Sequence, residues 1–429
     1  MIAIVNKINS IILITILYNF FINYLVKEVY MKDIIDNFLT ISKIERCSYK
    51  TNHMKDFLID FAKKYGYSVK VDKAGNILAT KINPKLTLQA HYDMVCIGDV
   101  KNMQIVIENN KIYSKNSSLG ADNGIAIAMM MKLMQEGADV EFLFTNNEEV
   151  GLIGAKELEL QINTNRVLNL DSEDEGEVFI GCAGGVDFKI TKDIMCDTCK
   201  KELFKLSVTN LPGGHSGIDI DKNIDNAILK LLEMIKKRGV HVNSFSGGEA
   251  INAIPANATA IVCNDGCKQK FVDDILEYPN GVVEFSKEYD AVMTSSNIGL
   301  LKVANSKLTL EISLRSLDNF KMLERTQFIV NYWSQKGYSV EITDLYPGWK
   351  PENNKFNSIV CSALKDIFRN CKTKVIHAGL ECGILSQKFP NASFASIGPN
   401  IKHPHSKKEY VEIESIFKTF RAIKQIISL

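Results

Sequence analysis

Apolar and polar residues alternate between helical and strand spacing over the first part of the chain. Apolar residues recur at helical spacing over residues 52–65, while the short apolar runs at 86–90, 140–144 and 167–170 are typical of buried strands. Strands that alternate with helices predict an α/β domain with a mixed, largely parallel central sheet flanked by helices. We assign residues 31–187 to the first part of this domain.

The pattern of the next segment is different. Residues 204–208 alternate with period two, and amphipathic helices are predicted over 223–237 and 320–336. Together they indicate a smaller α+β domain over residues 188–344. The earlier pattern returns over residues 345–429, so the smaller domain is predicted to interrupt the larger one.

The N-terminal extension, residues 1–30, carries a mostly apolar stretch without charge between Lys7 and Lys27. Residues 8–26 are long enough to span a bilayer, but the stretch lacks the small-residue cleavage site of a secretory signal. Three interpretations stay open: translated upstream sequence with the working start at Met31, a membrane anchor, or a helix packed on the domain. A membrane is a partner only under the second interpretation.

Charge and cysteine content narrow the class of protein. The 429 residues include 51 Lys and Arg against 50 Asp and Glu, so no basic excess favours a nucleic-acid partner. Ten irregularly spaced cysteines do not form the disulfide framework of a small secreted domain, and we expect reduced thiols in a cytoplasmic protein. The pairs Cys196/Cys199 and Cys263/Cys267 could form a four-thiolate zinc site, but their spacing favours reduced thiols.

Acidic and imidazole residues collect where the predicted strands end. These residues are His91, Asp93, Glu148, Glu149 and Asp171, with Asp122 at the start of a predicted helix. Because the carboxyl ends of parallel strands meet at one edge of a sheet, we expect these side chains to lie close together. Like charges at one edge repel each other, so a cation is expected between them. Imidazole and carboxylate ligands suit zinc, and also manganese or cobalt.

A series of motifs, in order from about residue 31 to the C-terminus, resembles one known family. The motifs are HYDMV at 91–95, LGADNG at 119–124, NEEVG at 147–151, NLDSEDEGE at 169–177, GCAGG at 181–185, GGHSG at 213–217, NAIP at 252–255, HAGLECG at 377–383, SIGP at 396–399 and PHS at 404–406. They resemble the aminoacyl-histidine dipeptidases, of the cytosol non-specific type, in the zinc aminopeptidase, carboxypeptidase and aminoacylase superfamily. The resemblance implies a metallopeptidase with two divalent metal ions, zinc being expected.

By motif position, the resemblance also implies a set of metal ligands. Asp122 would bridge both ions. His91 and Asp171 would complete the shell of one ion, and Glu149 and His405 that of the other. The family further implies a cis peptide bond between Asp122 and Asn123.

The resemblance assigns catalytic roles to two more acids. Asp93 would accept the second ring N–H of His91 and so fix its tautomer. Glu148 would be the general base, taking a proton from a water that lies between the two ions and delivering it to the leaving amine.

In the smaller domain, which the resemblance makes a lid over the catalytic domain, further residues are implied for the substrate. His215 is expected to stabilise the carbonyl oxygen, and Asn252 and Arg315 to recognise the substrate, since a guanidinium binds a carboxylate through two parallel hydrogen bonds. His377 and Glu381 are expected to line the pocket. The other three histidines, His53, His241 and His403, have no such support and are expected at the surface.

The leading hypothesis is a dipeptidase that cleaves unblocked dipeptides, Xaa-His among them. A tripeptidase or an N-acyl amino-acid deacylase with the same metal centre is the alternative, and a catalytically silent binding protein is the third. Relative to the family, the segment from about Cys263 to Glu277 is short. The missing stretch bears on a possible homodimer and on the preference for a C-terminal histidine.

Overall fold

The structure is a computed structural model, and it describes residues 30–194, 201–264 and 269–429. Contacts between residues divide the chain into two compact units. The first comprises the described residues up to Phe179 together with Asn353–Thr373 and Asn391–Leu429, and the second comprises Ile180–Glu352 and Lys374–Pro390.

Helices and strands follow one another along the described residues in this order. The helices are α1 (residues 30–41), α2 (Asn52–Lys64), α3 (Ala121–Gln135), α4 (Ile153–Lys156), α5 (Ala227–Arg238), α6 (Lys270–Leu276), α7 (Asn319–Gln335), α8 (Lys355–Phe368), α9 (Cys382–Lys388) and α10 (Ile413–Ser428), with a 3₁₀ turn at Val100–Asn102. The strands are β1 (Ser68–Val71), β2 (Ile77–Thr80), β3 (Thr87–His91), β4 (Ile105–Glu108), β5 (Lys111–Ser114), β6 (Glu141–Thr145), β7 (Arg166–Asn169), β8 (Glu177–Cys182), β9 (Gly184–Asp193), β10 (Leu203–Val208), β11 (Gly214–His215), β12 (His241–Gly247), β13 (Ala253–Ile254), β14 (Ala258–Cys263), β15 (Gly281–Ser286), β16 (Ala291–Ala304), β17 (Lys307–Ser316), β18 (Ser339–Tyr346), β19 (Lys372–Ile376), β20 (Ser393–Ser396), β21 (Ile401–Lys402) and β22 (Tyr410–Glu412).

The main sheet of the first unit is mixed, with its parallel strands at the centre. Its order is β1-β2-β6-β3-β7-β20-β8-β19. Strand β3 pairs in parallel with β6 and β7, and β7 pairs in parallel with β20, whereas β2 and β8 join antiparallel. All five residues of β3 are buried, which explains its continuous apolar run. The predicted α/β class is confirmed.

A second, four-stranded sheet of the first unit has the order β21-β22-β5-β4. Strand β22 pairs with β5 through Tyr410 and Val411, opposite Tyr113 and Ile112. This pairing anchors the segment between β21 and β22, which carries the site residue His405, to a distant part of the chain.

The second unit is built on an antiparallel sheet of order β10-β14-β12-β16-β17-β9-β18, with β15 added on β16. Its core packs Phe188, Leu231, Leu310 and Trp333 among other buried side chains. Helix α5 begins where the Asn226 side chain accepts the first backbone N–H groups and ends at a left-handed glycine, as its sequence predicts. The sequence predicts domain boundaries after residues 187 and 344. In the structure, the chain passes from the first unit to the second after residue 179 and returns to the first after residue 352.

The cysteine prediction needs correction. Cys47 and Cys96 form a disulfide, as do Cys361 and Cys371, and Cys263 is also oxidised. A backbone pairing of Cys47 with Met94 brings the first pair together across 49 residues of sequence, which local spacing could not show. The free thiols of the described residues are those of Cys182 and Cys382, both buried.

Other predictions fall partly or wholly outside the described residues. Cys196, Cys199 and Cys267 lie outside them, but the disulfide bond of Cys263 rules out a four-thiolate zinc site that includes this residue. The interpretations of residues 1–30 also fall outside, except for Tyr30 at the start of α1. Within the part of the chain that is described, no helix is long and apolar enough to cross a membrane.

The prediction that three histidines lie at the surface is wrong for one of them. His53 and His403 are exposed, but His241 is buried at the start of β12, where its Nε2 lies 3.3 Å from Gln269 Nε2. At this position β12 pairs with Cys263 of β14, and the ring lies against the Gln269 side chain.

Candidate active site

The parallel arrangement of β6, β3 and β7 brings the predicted metal ligands of the first unit to one edge of its sheet. His91 is the last residue of β3 and pairs with Thr145, the last residue of β6. Glu148 and Glu149 follow β6, and Asp171 follows β7 after one intervening residue. Each side chain therefore starts from the carboxyl end of a buried strand, as the sequence predicts.

Asp122 lies between the two histidines. Its Oδ1 is 3.2 Å from His91 Nε2, and its Oδ2 is 3.1 Å from His405 Nε2. His91 Nε2 is also 3.3 Å from Asp171 Oδ1, and His405 Nε2 is 2.9 Å from Glu149 Oε2. One carboxylate thus shares its two oxygens between two imidazoles, each of which faces a further acid.

Asp93 holds the His91 ring from its other side. His91 Nδ1 lies 3.2 Å from the main-chain oxygen of Asp93 and 3.5 Å from its Oδ1. In its neutral form, an imidazole that donates from Nδ1 has no proton on Nε2, and this is the form that binds a metal. The Asp93 carboxylate also accepts the Ser48 hydroxyl at 2.7 Å and the main-chain N–H groups of Glu148 and Glu149 at 2.9 and 3.3 Å. Asp93 therefore joins the end of β3 to the loop after β6.

Burial and neighbouring charges shift the pKa values of this cluster. Burial by itself raises the pKa of Asp122, but hydrogen bonds with His405 and His91 outweigh it and lower the pKa below its ordinary range. Burial lowers the pKa of His405, yet Asp122 and Glu149 raise it to about 11. Burial and the charge of Asp122 raise the pKa of Glu149. These carboxylates need positive charge beside them, which here comes from the imidazoles.

The donor set fits divalent cations. Two groups of ligand atoms, each within 4.8 Å of one another, share Asp122: one adds His91 and Asp171, the other Glu149 and His405. Among the described residues, the buried Oε1 of Glu149 has no hydrogen-bond partner. A buried carboxylate oxygen without a donor is costly, and a cation would satisfy it. Imidazole and carboxylate are the ligand types that zinc, manganese and cobalt accept.

Glu148 adjoins the same cluster. Its oxygen atoms come within the same 4.8 Å range of His91 and Glu149, so distance alone permits it to act as a ligand or as a base. Its main-chain oxygen accepts N–H groups from Gly151 and Leu152, which closes a tight turn after the loop. The assignment of Glu148 as general base stays a prediction. The peptide bond between Asp122 and Asn123 is cis, as the resemblance implied.

Three residues of this region were missed by the sequence analysis. Glu173 is mostly buried, and burial together with the charges of Asp122 and Asp171 raises its pKa to about 8. Arg46 and Glu409 are both 2% exposed and contact the turn that precedes Asp122. Glu173 lies inside the motif at 169–177, so its position was a usable signal. Nothing in the local pattern around Arg46 or Glu409 points to the site.

The residues predicted to bind substrate all belong to the second unit. Arg315, on β17, is 6% exposed; its Nη1 donates to Tyr346 Oη at 3.0 Å and its Nε to Ser216 Oγ at 3.4 Å. Burial raises the pKa of Tyr346, and the charge of Arg315 acts against that rise. Two hydroxyl groups thus hold the guanidinium in one orientation, and its positive charge also acts on the carboxylate of Asp187.

His215 lies on β11, next to the loop that carries Ser216. Its Nδ1 accepts the main-chain N–H groups of Gly217 and Ile218 at 3.2 and 3.1 Å. A neutral imidazole that accepts at Nδ1 carries its proton on Nε2, which makes that nitrogen a donor. Strand β11 pairs with β13, and the main-chain oxygen of the exposed Asn252, directly before β13, accepts the N–H of Ser216 at 2.9 Å. The structure therefore brings Asn252 beside the His215 loop.

His377 belongs to the same group within the second unit. Its Nε2 lies 2.8 Å from Ser295 Oγ, and Ser295 is paired with Arg315 across β16 and β17. Burial, followed by the charges of Arg315 and His215, lowers the pKa of His377 to about 3. Glu381 is fully buried where α9 begins. The role of Glu381 in lining a pocket stays a prediction.

Comparison with known proteins identifies a family. Residues 87–429 match the model of peptidase family M20/M25/M40. The chain is 29% identical to the "Cytosol non-specific dipeptidase" of Escherichia coli (strain K12) over 457 residues, covering 89% of this chain and 94% of the relative. It resembles the crystal structure of aminoacylhistidine dipeptidase from Vibrio alginolyticus with a TM-score of 0.75 and 27% identity, covering 92% and 96% of the two chains. A tripeptidase from Staphylococcus aureus shares the fold, with a TM-score of 0.62, 18% identity and coverage of 92% and 97%.

Proposed function

The chain belongs to peptidase family M20/M25/M40, and we propose that it is a dipeptidase that hydrolyses unblocked dipeptides, Xaa-His among them, at a centre of two metal ions. As a member of this metal-dependent family, it is a hydrolase that acts on peptide bonds. The observation that carries the dinuclear centre is the Asp122 carboxylate, whose two oxygens face His91 and His405 at 3.2 and 3.1 Å.

The proposed ligands fall into two sets that share Asp122. His91 and Asp171 would hold one ion, and Glu149 and His405 the other. Zinc suits this mixture of imidazole and carboxylate, as do manganese and cobalt. When bound, the ions would supply Lewis acidity that lowers the pKa of water and polarises the peptide carbonyl.

The proposed proton transfers use residues of this chain. Glu148 takes a proton from the attacking water and delivers it to the leaving amine. Support for this role comes from the Asp93 carboxylate, which accepts the Glu148 main-chain N–H at 2.9 Å and so holds its position. His215 donates a hydrogen bond from Nε2 to the carbonyl oxygen on which negative charge develops, a role supported by the tautomer that its Nδ1 contacts favour.

Recognition of a free C-terminal carboxylate is assigned to Arg315. Its side chain is buried and is oriented by Tyr346 and Ser216, and a fixed guanidinium can donate two parallel hydrogen bonds to a carboxylate. His377, neutral at neutral pH, and Asn252 would complete this substrate-binding group. The proposal therefore requires a free carboxylate on the substrate.

Location and assembly complete the proposal. The name of the Escherichia coli relative, a cytosol non-specific dipeptidase, favours a cytoplasmic protein, whereas the disulfides Cys47–Cys96 and Cys361–Cys371 favour an oxidising environment. The homodimer stays a proposal, as does the preference for histidine.

A matched set of substrates tests the proposed function. The full chain, loaded with zinc, manganese or cobalt, is assayed with Ala-His, N-acetyl-Ala-His, Ala-His amide, Ala-Ala-His and the N-acetyl amino acids N-acetyl-Ala and N-acetyl-His. We expect cleavage of Ala-His, with the amide a poor substrate because it lacks the carboxylate that Arg315 would bind. Cleavage of Ala-Ala-His in preference to Ala-His would indicate a tripeptidase. Hydrolysis of N-acetyl amino acids alone would indicate a deacylase and would falsify the dipeptidase assignment.

A further inference from the structure

A buried carboxylate from the C-terminal part of the chain holds the turn that leads into α3. Glu409 Oε2 accepts the main-chain N–H groups of Leu119 and Gly120 at 2.8 and 2.9 Å. Its Oε1 accepts those of Ala121 and Asp122 at 2.8 and 3.3 Å. One side chain, 2% exposed, thus accepts four consecutive backbone donors.

These contacts act on the main chain of the proposed bridging ligand. Asp122 and Asn123 have non-helical backbone angles, so these four N–H groups lie in the turn ahead of the regular helix, where a carboxylate gains several charge-assisted hydrogen bonds. An ordinary helix cap would need only one or two of these bonds. Because the fourth bond reaches Asp122 itself, the position of Glu409 sets where the Asp122 side chain begins.

Arg46 encloses the same turn. Its guanidinium donates to the main-chain oxygen of Gly120 through a short hydrogen bond, and to that of Asp93 at 3.3 Å. A Cβ atom on Gly120 or Gly124 would come within 2.4 or 2.5 Å of Arg46 Nη2, so both positions need glycine. Arg46 and Glu409 are buried together with opposite charges, which makes a carboxylate at this depth tolerable.

Glu409 also lies on the segment that carries His405. His405 precedes it by four residues and has a left-handed backbone with φ of 54°. The His405 side chain is about half exposed, at 49%, so packing around it is incomplete. Directly after Glu409, β22 pairs with β5. The carboxylate of Glu409 therefore ties the His405 segment to the Asp122 turn at the point where the two meet.

We propose that Glu409 is a positioning residue of the metal centre, which fixes the separation between Asp122 and His405 by holding the main chain of the Asp122 turn against the segment that carries His405. The proposal rests on the proposed function in that these two residues are taken as ligands of one ion. Glu409 is not one of the proposed ligands and acts through the main chain of the turn. Its effect is on the geometry of the Asp122, Glu149 and His405 set more than on that of the His91 and Asp171 set.

The test uses the full chain with Glu409→Gln, Glu409→Asp and, as a matched control, Glu412→Gln. An amide at position 409 offers one acceptor oxygen in place of two and turns N–H groups towards other N–H donors. Glu412 lies three residues on in the same segment, but its carboxylate accepts from the Asn400 side chain and not from the turn. Metal-free protein is titrated with Co²⁺, and the visible absorption of each bound ion is recorded along with hydrolysis of Ala-His.

We expect Glu409→Gln to bind the second Co²⁺ about 10- to 100-fold more weakly, as for residues that orient metal ligands, with an altered absorption spectrum. The kcat for Ala-His should fall while KM stays within about twofold, since substrate-binding residues are untouched. Glu409→Asp, which keeps the charge on a shorter side chain, should restore part of the affinity. Glu412→Gln should match the wild type in both measurements.

Wild-type Co²⁺ affinity and spectrum in Glu409→Gln would overturn the proposal, as would an equal loss in Glu412→Gln. If Glu409→Gln does not fold, the Co²⁺ affinity and absorption spectrum of Glu409→Asp are compared with those of the wild type instead, and wild-type values would again overturn the proposal. Failure of both to fold would also overturn it, because a positioning role requires a folded chain that has lost only the second ion. If wild-type protein binds two Co²⁺ ions but does not hydrolyse dipeptides, the proposed function fails and the inference about Glu409 stands.

Discussion

Two aspartates of this site, Asp93 and Asp122, have different roles because their surroundings differ. Asp93 accepts a hydroxyl and two main-chain N–H groups, so its carboxylate acts as a fixed support for His91 and the 148–149 loop. Asp122 instead turns both oxygens towards imidazoles. The number of hydrogen-bond donors already satisfied decides which carboxylate supports the site and which is available for an ion.

Substitution of the proposed base should lower kcat and leave the metal content unchanged, whereas substitution of a proposed ligand should lower the metal content. Glu148→Ala is expected to keep both metal ions and lower kcat by about 10²- to 10⁴-fold, the usual contribution of a general base. His91→Ala and Asp171→Ala are expected to lose metal. Metal content by atomic emission, measured beside kcat for Ala-His, separates the two. A Glu148→Ala enzyme with the wild-type rate, or one that has lost an ion, would show that the base assignment is wrong.

His377 should make the protein less stable at mildly acidic pH. Burial, with Arg315 and His215, lowers its folded pKa to about 3, whereas an unfolded histidine titrates near its ordinary value of about 6.5. Between these values only the unfolded state binds the proton, so stability falls as pH falls. From about pH 7 to about pH 5 the loss from this residue is about 2 kcal/mol.

Urea unfolding at these two pH values measures the effect. The fall in unfolding free energy should be smaller in His377→Gln than in the wild type by about that amount. His53→Gln, at an exposed position, is the control for the substitution itself. Equal pH dependence in the wild type and His377→Gln would contradict the assignment of a buried, neutral imidazole.

At the scale of secondary-structure elements, the parallel strands β6, β3 and β7 and the loop after β11 carry most of the candidate site residues. Strands β6, β3 and β7 end at the same edge because they run in parallel, and buried strands of this kind cannot shift register without exposing apolar side chains. The loop after β11 plays the same part in the second unit. It is held by the two N–H groups that donate to His215 Nδ1 and by the Asn252 main-chain oxygen.

Gly217 is the residue of this loop that has no room for a side chain. A Cβ atom there would come within 2.1 Å of the His377 main-chain oxygen and 3.1 Å of both Arg315 Cδ and His215 Cε1. Gly217→Ala should therefore cost about 1–3 kcal/mol in unfolding free energy. It should also displace His215 and Arg315 and reduce kcat/KM for Ala-His, while metal content stays unchanged because the proposed ligands belong to the other unit.

Gly239→Ala serves as the control for stability alone. Gly239 has a φ of 64°, and a Cβ atom added to it would meet no neighbouring atom within 4 Å, so the substitution strains the backbone without overlap. It should cost about 1 kcal/mol or more in stability and leave kcat/KM intact. If both variants lose activity equally, the effect of Gly217→Ala is a loss of stability and not of site geometry.

At the scale of the whole molecule, the two units carry different chemistry. The proposed metal ligands and base belong to the first unit, and the group around Arg315 belongs to the second. Each unit has its own sheet and its own buried residues, and the chain passes from the first unit to the second and back twice.

The two disulfides join segments of the first unit, and whether they are formed depends on the redox conditions around the whole molecule. Protein from rapidly acidified cells is alkylated under denaturing conditions without reductant, and its peptides are identified by mass spectrometry. We expect Cys182 and Cys382 to be modified, and the pairs Cys47–Cys96 and Cys361–Cys371 to be protected until reductant is added. Modification of all six without reductant would support the reduced, cytoplasmic protein expected from the sequence.

Much of this protein is determined by its sequence alone. The apolar runs and their helical intervals predict the α/β class, because a strand that is buried on both faces must be apolar throughout. The same pattern predicts that His91, Glu148 and Asp171 lie at one edge, because each follows a strand of a parallel sheet. The roles within that edge, such as the bridging Asp122, came from resemblance to a family and not from spacing.

Tertiary structure decided what depends on partners far apart in the chain. Glu409 accepts the N–H of Asp122 across 287 residues, and Cys47 reaches Cys96 across 49, and neither contact leaves a local pattern. His241 is buried where it pairs with Cys263 and lies against Gln269, 28 residues further along the chain, which strand spacing does not reveal. Local hydrophobic periodicity specifies elements and their buried faces, whereas hydrogen bonds between distant segments form only once those elements are packed.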